Sequence, residues 1–78
     1  MMNNKKLYVI KFSNGQYYCG MKQFSNQLRQ AQIYVSLSRA EDTALHLIST
    51  RDRYTKDIIA PTLDFKLVEV TIEEVPTN

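Results

Sequence analysis

Two side chains in this sequence are of a type that starts chemistry, a thiol and an imidazole, and each occurs once, as Cys19 and His46. A thiol becomes a useful nucleophile when a neighbouring base takes its proton, so the two groups must converge. A hairpin turning at Asn14-Gly15 places Cys19 on a core-facing strand surface, whereas His46 falls mid-helix, away from the buried stripe and one turn after Asp42. The helix body then separates them, and His46–Asp42 reads as a solvated helix-face contact of about 0.2–0.5 kcal/mol. Zinc requires three or four ligands at suitable spacing, and the chain has no second cysteine or histidine. Gly15 and Gly20 are the only glycines, and neither opens a helix with the spacing of a phosphate-cradling loop. Glu69, Glu73 and Glu74 gather at the end of an expected strand, where solvation is the usual role of carboxylates rather than paired acid–base work. The expectation is a protein without catalytic residues, metal or cofactor.

What remains is a small binding domain. Seventy-eight residues, 44% hydrophobic and 23% charged with two glycines and two prolines, have ordinary globular composition. One core is the most they can bury, giving a single domain over 1–78 with an ordered core at about 6–74. A lone cysteine excludes a disulfide framework and favours a reducing compartment. No apolar run resembles a signal peptide or a spanning helix, so the expectation is a cytoplasmic chain with no membrane partner.

The net charge of +2 hides an asymmetry: Lys5, Lys6, Lys11, Lys22, Arg29 and Arg39 precede position 40, and all eight carboxylates follow it. Such a split marks either a basic surface for an anionic partner or two halves that neutralise each other across paired strands. The second reading is favoured.

The strongest local signal is Asn14-Gly15 between the β-rich segments Lys6–Phe12 and Gln16–Met21, since this pair accepts positive φ at both central positions of a tight hairpin turn. A two-residue turn sets Phe12 opposite Tyr17, Ile10 opposite Cys19 and Tyr8 opposite Met21. Those residues form an apolar core face. Leu7, Val9, Lys11, Tyr18, Gly20 and Lys22 then form the outer face.

Residues 22–32 read as a loop or short irregular helix, and Gln32–Ser36 as a short third strand around Ile33, Tyr34 and Val35. Ser38 and Glu41 have the spacing of a capping box, predicting a helix from about Arg39 to about Arg53 that buries Ala40, Ala44, Leu47, Ile48 and Arg51. Tyr54–Asp64 reads as a loop tucking Ile58 and Ile59 over the core edge. The alternation of Phe65–Glu73 predicts a last strand with Val68, Val70 and Ile72 on one side and Leu67, Glu69, Thr71 and Glu73 on the other. If that strand lies beside the first, Glu69 and Glu73 come near Lys11 and Lys6. The fold class is α+β: a small, twisted, mainly antiparallel sheet of three to four strands, in the order β-β-(β)-α-β, with one helix packed on one face.

The candidate contact residues are Leu7, Val9, Lys11, Tyr18, Lys22 and Arg29. Tyr18 with Lys11, Lys22 and Arg29 suits nucleic acid, stacking bases while the cations hold phosphate. Leu7, Val9, Tyr18 and Leu67 form an interrupted apolar strip that suits a protein partner, or self-association as a homodimer through the same face. Scattered exposed apolar residues are also ordinary on solvated surfaces.

At Tyr8–Phe12, Asn14-Gly15-Gln16-Tyr17-Tyr18, Leu28-Arg29-Gln30-Ala31, Ile33-Tyr34-Val35-Ser36 followed by Ala40, and Lys66-Leu67-Val68-Glu69-Val70, the chain resembles small uncharacterised proteins of phages and prophages of Gram-positive bacteria. The resemblance spans about residues 7–72, rests on hairpin and core positions, and carries over no site residue. It implies a context in which small proteins bind host proteins, including inhibitors of restriction, CRISPR effectors or replication enzymes. DNA-mimicking inhibitors are strongly acidic, and a net charge of +2 departs from that pattern.

Overall fold

The computed structural model of the protein describes residues 6–71. Strands β1 (Leu7–Phe12), β2 (Tyr17–Gly20), β3 (Gln23–Ser25) and β4 (Phe65–Val70) form one antiparallel sheet in the order β3-β2-β1-β4. Helix α1 (Leu37–Ser49) packs on β1 and β4, and the result is the α+β architecture expected.

Period-two alternation decides what lies beneath the helix. Tyr8, Ile10 and Phe12 of β1 face it with Leu67 and Phe65 of β4, and Ala40, Ala44 and Leu47 of α1 close the core together with Ala60. The helix alanines keep its backbone close to the sheet. Phe12 is 1% exposed, and its ring meets Phe24 edge-on at 5.6 Å and lies 6.3 Å from Phe65. Ile58 and Ile59 pack on this core as expected.

The first hairpin is shifted by one residue from the expected register: Lys11, not Phe12, is opposite Tyr17. Only Gly15 has positive φ in this turn, at 91°, whereas a two-residue primed turn would need it at Asn14 as well. Gly15 N–H donates to Phe12 O at 2.9 Å, and Phe12 N–H donates to Gln16 O at 2.8 Å. The loop is therefore Ser13-Asn14-Gly15, closed by a left-handed glycine. Asn14 Oδ1 accepts from Gln16 N–H at 3.0 Å, using its side chain locally rather than adopting the left-handed backbone.

That shift moves β2 by one face. Tyr18 joins the helix side, 5.5 Å from Phe24, while Tyr17 and Cys19 go to the other. Met21, expected in the core, is 90% exposed because the chain has already turned. Gly20 (φ 93°), Met21 (φ 52°) and Lys22 (φ 60°) are all left-handed, and they fold β3 back onto β2, where the expected loop contains a strand.

Ile33–Val35 do not form the expected third strand. Tyr34 makes a single bridge to Tyr8, with both backbone bonds at 2.8 Å, and Gln32 N–H donates to Tyr18 O at 2.8 Å. The segment fills the wedge where β2 leaves β1. A short 3-10 helix, Leu28–Gln30, precedes it.

Helix α1 begins two residues earlier than expected. Ser36 Oγ accepts from Arg39 N–H at 3.4 Å, so Ser36 rather than Ser38 is the N-cap, and no acidic residue lies in the first turn. The helix ends at Ser49 instead of running to Arg53. Arg51 is exposed and belongs to a bridge with Ile58.

Candidate functional site

The sheet has two unlike faces. The helix and the Ile58–Ala60 segment cover one. On the other, which has no helix among the described residues and which we call the open face, the β1–β4 register places Leu7 beside Val70, Val9 beside Val68, and Lys11 beside Lys66. The expected phase of β4 is thus reversed: Leu67 lies under the helix, and Val68 and Val70 lie on the open face. Glu69 stands opposite Tyr8 on the helix side, so it does not neutralise Lys11. Ile72 and Glu73 lie outside the described residues.

The six candidate contact residues are not brought together. Leu7, Val9 and Lys11 share the open face, with Val9 only 1% exposed. Tyr18 packs into the aromatic cluster and is withdrawn from that face. Lys22 sits in the β2–β3 turn, and Arg29, on the 3-10 helix, donates from Nε to Gln27 Oε1 at 3.0 Å.

Cys19 and His46 also remain apart. Cys19 is half-buried on the open face rather than in the core, with Sγ 3.5 Å from Tyr17 O. His46 is exposed on the helix that covers the opposite face, its Nδ1 3.2 Å from Thr50 Oγ1. Among the described residues no cluster of metal-ligating side chains occurs, and no helix is long and apolar enough to cross a membrane.

The most exposed apolar groups were not singled out by sequence. Met21 is 90% exposed and Tyr54 83%. Their two loops are tied by Lys22 Nζ to Asp52 Oδ1 at 3.3 Å, the only ion pair among the described residues. Asp52 organises the second loop, since Oδ2 accepts from Tyr54 N–H at 2.9 Å and Thr55 N–H at 3.0 Å. These backbone donors, first Thr55 and then Tyr54, with Lys22 a smaller contributor, hold the Asp52 carboxyl below its usual value. A pair of exposed side chains on separate loops leaves no periodic signature; the only local signal is Gly20, left-handed at φ 93° just before Met21 and Lys22. Burial pushes the Tyr34 phenol above its usual value, which marks packing rather than reactivity.

Comparison with family models, with curated proteins and with solved structures finds no match to this chain.

Proposed function

We propose that this chain is a small non-enzymatic binding protein, a phage-encoded accessory factor that docks on a host protein and modulates or inhibits it, as anti-defence inhibitors of the anti-CRISPR type do. The observation supporting this reading is the exposure of Met21 and Tyr54 on two loops that Lys22 and Asp52 tie together, a region called the tip below. Large apolar side chains so exposed gain most when a partner removes them from water, and tyrosine and methionine are enriched at protein interfaces. Met21 and Lys22 both hold left-handed backbone, a conformation that costs an L-residue about 1–2 kcal/mol. Local strain kept at an exposed tip is a reason to look there for function.

The test is affinity capture from host lysate with wild type, Met21→Ala, Tyr54→Ala and, as a control remote in sequence, Leu63→Ala. A specific protein should be retained by wild type and by Leu63→Ala, and each tip variant should weaken its binding by about 30-fold, the size of a hot-spot loss. Equal retention by all four proteins would sink the assignment. The nucleic-acid alternative is placed second: Tyr18 packs against Phe24, and Tyr17 takes its place beside Lys11. Recovery of nucleic acid released by moderate salt, with no protein retained, would reinstate it.

A further inference from the structure

We infer that the open face carries a second site, separate from the tip, for a small organic anion: a phosphate or carboxylate head on a compact apolar body. The head would sit on a row of side chains that crosses the whole sheet. The pairings Ser25 with Tyr17, Tyr17 with Lys11, and Lys11 with Lys66 place a hydroxyl, a phenol and two ammonium groups side by side on one face. Cross-strand neighbours have Cβ atoms about 4.5–5.5 Å apart, and like charges directly opposite each other destabilise a sheet. Lys11–Lys66 is such a pair. Neither lysine forms an ion pair among the described residues. Lys11 Nζ lies over the Tyr17 ring, 5.4 Å from its centre, which draws it toward the middle of the row. An anion shared by the two ammonium groups replaces their repulsion with two attractions.

The apolar body has a place beside this row. A cleft of about 310 Å³ opens where β1 runs into its turn, lined by Lys11, Phe12, Ser13, Gly15, Asp64, Phe65 and Lys66. That volume is at the small end of ligand pockets, about 300–1,000 Å³. The ends of β1 and β4 at Phe12 and Phe65 form its floor, and Ser13 adds a hydroxyl at the turn. Asp64 is the one carboxylate on the cleft, so two cations outweigh it. Gly15 at φ 91° keeps the turn free of a side chain at the rim. The lysine row is placed by backbone register, and the site lies about 13 Å along the strand direction from the Met21 turn.

The probes are phenyl phosphate, benzoate, inorganic phosphate and oligothymidylate, titrated at low salt while the backbone amide resonances are followed. Phenyl phosphate should give saturable shifts at Lys11, Gly15 and Lys66. Lys11→Ala and Lys66→Ala should each weaken it about five-fold, as expected for one ammonium removed near 4 Å. Lys22→Ala, which removes a lysine on the far turn, should change it less than about two-fold. Benzoate should bind more weakly at the same residues, its head carrying less charge than a phosphate monoester. Inorganic phosphate should be weaker still than phenyl phosphate, because the cleft adds nothing to it. The inference is overturned by non-saturating shifts at all lysines alike, by inorganic phosphate matching phenyl phosphate, or by an unchanged Lys66→Ala. Oligothymidylate binding more than about ten-fold tighter than phenyl phosphate would replace the small-anion site with a nucleic-acid face. Failure of these titrations leaves protein capture by the tip untouched, and the reverse also holds.

Discussion

The two turns of the β1-β2-β3 meander invert what their residues prefer. Asn14-Gly15 is the pair best suited to two successive left-handed residues, yet only Gly15 uses that conformation. Met21-Lys22 is poorly suited to it, and both residues adopt it. The first turn is free to relax into a three-residue loop because either register keeps Tyr8, Ile10 and Phe12 under the helix. The second has no such freedom. β2 must reverse at once so that Phe24 returns beside Phe12 and Tyr18, and Lys22 must reach Asp52. In neither turn does the local preference of the residues decide the backbone conformation.

The sharpest way to break this comparison is to remove the contact both turns serve. Phe12→Ala should cost about 3–5 kcal/mol, the range for a fully buried phenylalanine, read as a loss of denaturant midpoint at constant slope. A midpoint within experimental scatter of wild type would show that neither turn is organised around this ring.

Gly20→Ala should cost about 1–2 kcal/mol, because φ of 93° is left-handed backbone that alanine adopts at that penalty. The new Cβ would also lie 2.5 Å from Gln32 Oε1, but that atom ends a flexible side chain and can move. Gln32→Ala should therefore fail to rescue the variant. Rescue would transfer the cause from backbone strain to crowding.

Met21→Asn should stabilise the fold by about 0.5–1 kcal/mol, since asparagine tolerates left-handed geometry. The same change should weaken partner capture, as expected where strain is retained for function. A variant that is both more stable and fully able to capture the partner would make the strain incidental.

The contrast between turns also marks what the sequence could convey. Ala40, Ala44 and Leu47 repeat at helical spacing and are buried as read, but Ser36 and Ser38 are both fit to cap, and their hydroxyls lie 3.0 Å apart; composition could not choose between them. In β4 each alternating set joins two apolar residues to one charge, Phe65 and Leu67 with Glu69 against Val68 and Val70 with Lys66, so period two announces a strand without fixing its phase. β3 offered a single large apolar residue, Phe24, and the turn that delivers it has only one residue suited to left-handed backbone, Gly20, before Met21 and Lys22. The open-face row followed from register alone, and a one-residue error at the first turn put Tyr18 where Tyr17 belongs.

The smallest effect expected concerns the tie between the second turn and the Asp52 loop. The Asp52 carboxyl is held below its usual value near 3.8, mainly by the Thr55 and Tyr54 backbone donors and less by Lys22. A carboxyl depressed in the fold binds its proton more readily when unfolded, so its contribution is complete above the unfolded value and disappears as pH falls through the folded one. Stability should therefore decline on acidification below about pH 4. Asp52→Asn should flatten that part of the profile, because the side chain no longer titrates. Lys22→Ala should leave most of it, because the first causes are backbone N–H groups that the substitution leaves in place. If Lys22→Ala flattens the profile as fully as Asp52→Asn, the ion pair rather than the Asp52 loop holds the second turn. The strained Met21-Lys22 backbone would then be anchored across the two loops by charge alone.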